Sequence, residues 1–177
     1  AYNTAVGSVA GGAITTGIEN TIIGGLAGDA LTDADYNVAL GVAALGADTL
    51  GSRSTALGTF SLQTQNFTTA TNVYNVGVGY NAGAAVTTGI RNTLVGGRTG
   101  DALTDADYNV AMGTDALSAD TLGSKSTAIG VDALATQNFT TATDTCNTAV
   151  GFSAGVAVTT GVQNTIVGAN AADAMTS

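Results

Sequence analysis

The 177-residue sequence contains no proline, no histidine and no tryptophan, and it has a single cysteine. Without histidine no histidine-based catalytic triad is possible, and one lone cysteine supplies no zinc ligand set. It supplies no disulfide framework either. The absence of proline, with no three-residue glycine period, excludes a collagen triple helix. Charge is scarce too: 10% of residues are charged and 45% are hydrophobic, a balance that argues against disorder. Acids outnumber bases 13 to 4, for a net charge of −9. Such a surface repels phosphate backbones and anionic lipid, so no nucleic-acid partner is expected. No apolar run approaches the roughly 18 residues that span a bilayer, so no membrane insertion by this segment is expected. No signal peptide is visible and the chain opens at Ala1. We read it as a mature chain or, in preference, a fragment of a longer one.

What is abundant is small. Alanine (32), threonine (30) and glycine (25) fill 87 of the 177 positions. They are arranged in repeats. Residues 28–39 recur verbatim at 100–111, and residues 64–71 recur at 136–143, both at an offset of 72. Within each 72 a pentad of the form Asn/Ser-x-x-apolar-Gly recurs. It begins at Asn3, Asn20, Asn37, Ser54, Asn75, Asn92, Asn109, Ser126, Asn147 and Asn164, in steps of 17, 17, 17 and 21. The chain therefore reads as a single domain over 1–177. Its super-repeats are 3–74, 75–146 and a partial 147–177.

A 17-residue unit is too short for helical repeats, and its Thr, Val and Ile favour strands. We expect an all-β fold, a β-solenoid of about ten coils of 17 or 21 residues with two short strands per coil. Gly is fifth in all ten pentads, which argues for positive φ or close backbone approach there. The pleat puts the second and fourth pentad positions on one face and the third on the other. The fourth is always bulky and apolar, as in Leu40, Leu57 and Met112, and the third is mostly Ala. A strand apolar on both faces belongs inside something. One face fills the roll and the other needs a partner, so association about the solenoid axis is expected.

The pentads Asn3-Thr-Ala-Val-Gly7, Ser126-Thr-Ala-Ile-Gly130 and Asn147-Thr-Ala-Val-Gly151 resemble the head repeats of YadA-type trimeric autotransporter adhesins. They are also similar to repeats of phage tail-fibre proteins. The resemblance covers essentially the whole chain. It implies a homotrimeric, left-handed parallel β-roll displayed outside a cell or on a virion. The family's usual coil is shorter, which implies longer turns here, and no neck, stalk or anchor motif is present in these residues.

Chemistry finds little support. The acids are almost all Asp in turn-like segments, where Asp is a turn former, so no enzymatic activity and no cofactor are expected. Asp33-Ala-Asp35 and Asp105-Ala-Asp107 mimic the start of a calcium loop. The pattern then needs Gly and Glu at its sixth and twelfth places, where this chain has Val38 and Ala44, or Val110 and Ala116. A looser cation site using Asp29, Asp33 and Asp35 is the weaker reading beside ordinary Asx turns. Cys146 takes the place of Tyr2 and Tyr74 in the other super-repeats, so we assign it a packing role. The two longer coils place their extra residues near Gln65-Asn66-Phe67-Thr68 and Gln137-Asn138-Phe139-Thr140. Solenoid insertions map to loops, often on a binding face. Asn66, Phe67, Asn138 and Phe139 are therefore candidate receptor or glycan contacts; the alternative, which we favour, is that Phe67 and Phe139 tuck under their own loops. The same segments match the N-glycosylation sequon, which a bacterial or phage origin would make incidental.

The residue before each pentad reads Tyr2, Glu19, Tyr36, Arg53, Tyr74, Arg91, Tyr108, Lys125, Cys146 and Gln163. Stacked about 4.8 Å apart, Tyr36, Arg53, Tyr74, Arg91, Tyr108 and Lys125 are expected to form a stabilising cation–π ladder. The pentad Asn residues are expected to bond along the axis or to cap their own turns. The function expected is a non-enzymatic extracellular fibre segment, of a phage tail fibre or a bacterial surface adhesin. Its partners are two more copies of itself and a cell-surface glycan or protein receptor. A self-assembling extracellular filament is the alternative. Less favoured is an ice-binding or glycan-binding solenoid using the Thr column at the second pentad position, which we expect to be buried.

Overall fold

The structure is a computed structural model that describes residues 2–177. Among the described residues fourteen short strands follow one another. They are β1 (Thr4–Val6), β2 (Thr21–Ile23), β3 (Val38–Leu40), β4 (Gly51–Ser52), β5 (Thr55–Leu57), β6 (Thr71–Asn72) and β7 (Val76–Val78), followed by β8 (Thr93–Val95), β9 (Val110–Met112), β10 (Gly123–Ser124), β11 (Thr127–Ile129), β12 (Thr143–Asp144), β13 (Thr148–Val150) and β14 (Thr165–Val167). The ten three-residue strands form one parallel sheet in chain order, and every described residue lies outside α-helix. Thr4 pairs with Thr21, Thr21 with Val38 and Thr55 with Val76, so equivalent pentad positions stack directly. The fold is a parallel β-solenoid of about ten coils.

Among the described residues the second strand per coil is present only where β4 meets β6 and β10 meets β12. Elsewhere that segment turns. Val9 and Gly11 are left-handed (φ 61° and 59°) and the Gly12 N–H bonds back to the Val9 carbonyl at 3.0 Å. Alternating left-handed residues cannot extend as a strand. Their N–H groups still reach the next coil, as Gly11 to the Ala27 carbonyl at 2.9 Å. The fifth-position glycines meet both expected conditions. All have φ between 124° and 142°, and a Cβ on Gly7 would lie 2.6 Å from the Gly24 carbonyl oxygen.

The interior is narrow, and the third pentad position fills it. Ile22, Ala39, Ala56, Leu94, Ala111 and Ala128 are fully buried. Opposite them the core is completed in two ways. Where Gly28 stands, the next inward residue is Leu31, and a Cβ on Gly28 would lie 2.8 Å from Leu31 Cδ1. At the equivalent place in the following coils stand Leu45 and Leu62, both buried, and the inward positions beyond them hold Asp48 and Gln65. Leucine takes over the volume that glycine leaves empty, and the position it relieves becomes polar. Leu45 keeps the left-handed conformation (φ 54°) that Gly28 has (φ 49°), so its burial offsets about 1–2 kcal/mol of steric cost.

The pentad asparagines bond along the axis, the first of the two arrangements expected of them. Asn20 Oδ1 accepts the backbone N–H of Asn37 in the next coil at 2.9 Å, and Asn20 Nδ2 donates at 2.7 Å to the carbonyl of Ala34, in the turn that leads into Asn37. Asn92 repeats the pair with Asn109 (2.9 Å) and Ala106 (2.7 Å). Each buried amide thus caps the turn of the next coil and ties the two coils together.

Candidate functional site

The bulky face of the strands points outward. Leu40, Leu57, Met112 and Ile129, in the middle of the sheet, are between 36% and 42% exposed. Beside them runs the second-position column, with Thr21 and Val38 exposed and Thr93 and Thr127 half-buried. The expectation of a buried Thr column is not met in the single chain. An interior that admits little more than an alanine side chain from most strands leaves no room for it. Past the fifth-position corner, Val42, Tyr80, Val131 and Phe152 extend the apolar surface. Monomeric proteins rarely expose contiguous apolar patches of more than a few hundred Å².

The line before the pentads flanks this face. All ten of its residues are left-handed, from Cys146 at φ 52° to Tyr2 and Arg53 at 67°. That conformation turns the chain sharply ahead of each buried Asn or Ser. The Arg53 guanidinium lies 4.8 Å from the Tyr36 ring centre and 5.9 Å from that of Tyr74, and its Nε donates to Asn72 Oδ1 at 2.8 Å. Arg91 lies 5.3 Å from the Tyr108 ring and donates to its hydroxyl at 2.6 Å. Lys125 turns instead to the Asp144 carboxylate at 2.5 Å, which raises its pKa. Cys146 is exposed on this line and is not packed.

In the longer coils Phe67 and Phe139 are buried, 7% and 8% exposed, so their rings face the solenoid. Asn66 and Asn138 are exposed and accept from Thr49 Oγ1 (3.2 Å) and Thr121 Oγ1 (3.3 Å) in the preceding coil. The organising residues are ones that sequence reasoning passed over. Asp48 is fully buried and accepts the N–H groups of Gly51 and Phe67, both at 3.0 Å, and the Gln65 amide at 2.6 Å. Gln65 also donates to Ser54 Oγ at 3.0 Å and accepts from Asn75 Nδ2 at 2.9 Å. It carries the asparagine ladder across the coil where serine replaces asparagine. Asp120 and Gln137 repeat the arrangement around Ser126 and Asn147. The legible signal was the coincidence of Ser54 with Gln65, and of Ser126 with Gln137.

The acidic candidates serve the stack. Asp33 and Asp105 accept from Thr16 and Thr88, each at 2.6 Å, while Asp35 and Asp107 accept the N–H groups of Ile18 (2.8 Å) and Ile90 (2.7 Å). Among the described residues no group of three His, Cys, Asp or Glu is placed to hold a metal ion. A shallow groove of about 280 Å³ is lined by Leu26, Asp29, Ala43, Gln63 and Thr64, with Asp29 as its one carboxylate. Comparison with known proteins gave no matching family model, no matching curated protein and no matching solved structure.

Proposed function

We propose that the chain is a non-enzymatic segment of an extracellular fibre, in which three copies associate through the outward sheet face. The reading is that of a phage tail fibre or bacterial surface adhesin with a left-handed roll, presenting a surface for attachment to a host glycan or protein. The observation that carries it is the row of bulky residues, Leu40, Leu57, Met112 and Ile129, left exposed along a ten-stranded sheet. An apolar row of that length needs a cover, and identical copies supply one of identical periodicity. The flanking tyrosines and arginines are residue types enriched at interfaces. The test is Leu57→Lys combined with Ile129→Lys. Light scattering should show the wild-type trimer replaced by a folded monomer, and an unchanged mass in the variant would refute the assignment. Flanking sequence separates the two settings: a membrane-anchor barrel means adhesin, and a virion-attachment domain means tail fibre.

The outward Thr column favours one second reading, an ice-binding face. Leu40, Leu57 and Met112 break the evenness such a face needs, and a thermal-hysteresis assay separates the two.

A further inference from the structure

Thirteen asparagines occur in the chain, and only Asn66 and Asn138 stand two residues before a threonine or serine. In the structure the same two differ from the ladder asparagines in the direction they face. Asn20, Asn37, Asn75, Asn92, Asn109 and Asn147 are buried, with amides bonded to backbone carbonyls. Asn66 and Asn138 are exposed, and among the described residues no hydrogen bond engages their Nδ2.

That outward direction is built in. Gln65 and Phe67 point inward on either side of Asn66, Gln65 to Asp48 and Phe67 into a buried position. The backbone is held by the Asn66 N–H on the Thr87 carbonyl and the Phe67 N–H on Asp48, both at 3.0 Å. Alternation leaves Asn66 and Thr68 outward together, and both are exposed. The segment at Gln137, Asn138, Phe139 and Thr140 has the same pattern of burial and the same anchor on Asp120. Neither asparagine belongs to the outward face of the ten-stranded sheet.

We propose that Asn66 and Asn138 are N-glycosylation acceptors on the surface of the folded chain. The donor class is a nucleotide-activated hexose. Asn Nδ2 forms a bond to the sugar's anomeric carbon as that carbon's bond to the diphosphate oxygen breaks. The nucleoside diphosphate leaves with the electron pair, and the amide proton passes to a base on the transferase. This goes beyond the fibre reading, does not depend on it, and replaces the expectation that the two sequons are incidental.

The test incubates the folded chain with UDP-glucose and a sequon-directed N-glycosyltransferase, then measures intact mass. Two hexoses per chain are expected. One is expected in Asn66→Gln and in Asn138→Gln, and likewise in Thr68→Ala and Thr140→Ala, which leave the asparagines in place. None is expected in the Asn66→Gln/Asn138→Gln double variant, with circular dichroism confirming that each variant is folded. No hexose on the folded chain, hexoses added only after denaturation, a single hexose on the wild type, or modification persisting in the double variant would each overturn the proposal.

Discussion

Gln65 donates its side-chain amide to Asp48 across 2.6 Å inside the solenoid, one coil to the next. The carboxylate takes two backbone N–H groups as well, so Asp48→Leu would leave those two buried donors without an acceptor and the Gln65 amide with Ser54 alone. An unsatisfied buried donor costs about 1–3 kcal/mol. We therefore expect Asp48→Leu to destabilise the chain by about 3 kcal/mol or more in chemical denaturation, although leucine is what the preceding coil carries at the same place, as Leu31. A neutral effect would mean that the network contributes nothing to the fold.

Acid should strengthen part of this core. Burial pushes the Asp48 carboxyl above its ordinary range, against the opposing effect of its hydrogen bonds, and burial raises Asp101 as well. A carboxyl that holds its proton more tightly when folded favours the folded state as pH falls. That contribution is complete below the unfolded value of about 3.9 and is lost as pH rises through the raised folded value. Asp115 runs the other way. The hydrogen bond from Arg98 lowers it, so its contribution is present above the unfolded value and is lost as pH falls through the lowered folded one. An exposed pair of this kind contributes little. The unfolding temperature should rise as pH falls from neutrality toward the unfolded carboxyl value of about 3.9, and Asp48→Asn should reduce the rise. A steady fall over that interval in calorimetry would contradict the assignment.

Much of this was legible in the repeat itself. The all-β solenoid, the stacking of equivalent pentads and the glycine corners follow from the spacing of Asn3, Asn20 and Asn37 and of Gly7, Gly24 and Gly41. Periodicity could say that both strand faces are apolar but not which turns inward. That depends on the width of the roll, which the pairing of Gly28 with Leu31, and of Leu45 with Asp48, sets. The segment after Gly7 reads as apolar and strand-like, yet the left-handed Val9 makes it a turn. The loop pattern leaves Phe67 either open to a ligand or tucked under its own loop, and the Asp48 anchor shows why it is buried.

The left-handed line before the pentads predicts an inversion of the usual glycine rule. Glu19 sits there at φ 58°, exposed. Glu19→Gly relieves a steric cost of about 1–2 kcal/mol and gives part of it back through unfolded-chain entropy. A net stabilisation of about 0.5–1 kcal/mol is expected by thermal melting. Gly24→Ala should do the opposite, because its Cβ would meet the Gly41 backbone. Destabilisation by Glu19→Gly would show that its side chain makes a contact of its own.

The aromatic–basic ladder should be uneven. Arg53 lies over two tyrosine rings and Arg91 over one. At about 0.5–1 kcal/mol per exposed contact, Arg53→Gln should lower the melting temperature more than Arg91→Gln. Lys125→Gln should leave it nearly unchanged, because Lys125 meets a carboxylate on an exposed surface. On the proposed attachment function, host-cell attachment per folded assembly should be unaffected in all three. Unaltered stability with lost attachment would make these residues receptor contacts.

The account rests on the outward row of Leu40, Leu57, Met112 and Ile129 being an association surface. Sedimentation equilibrium of the purified wild-type chain across a range of concentrations tests it most directly. A mass three times that of the chain, holding on dilution, is the predicted result. A folded, soluble monomer at every concentration would contradict it.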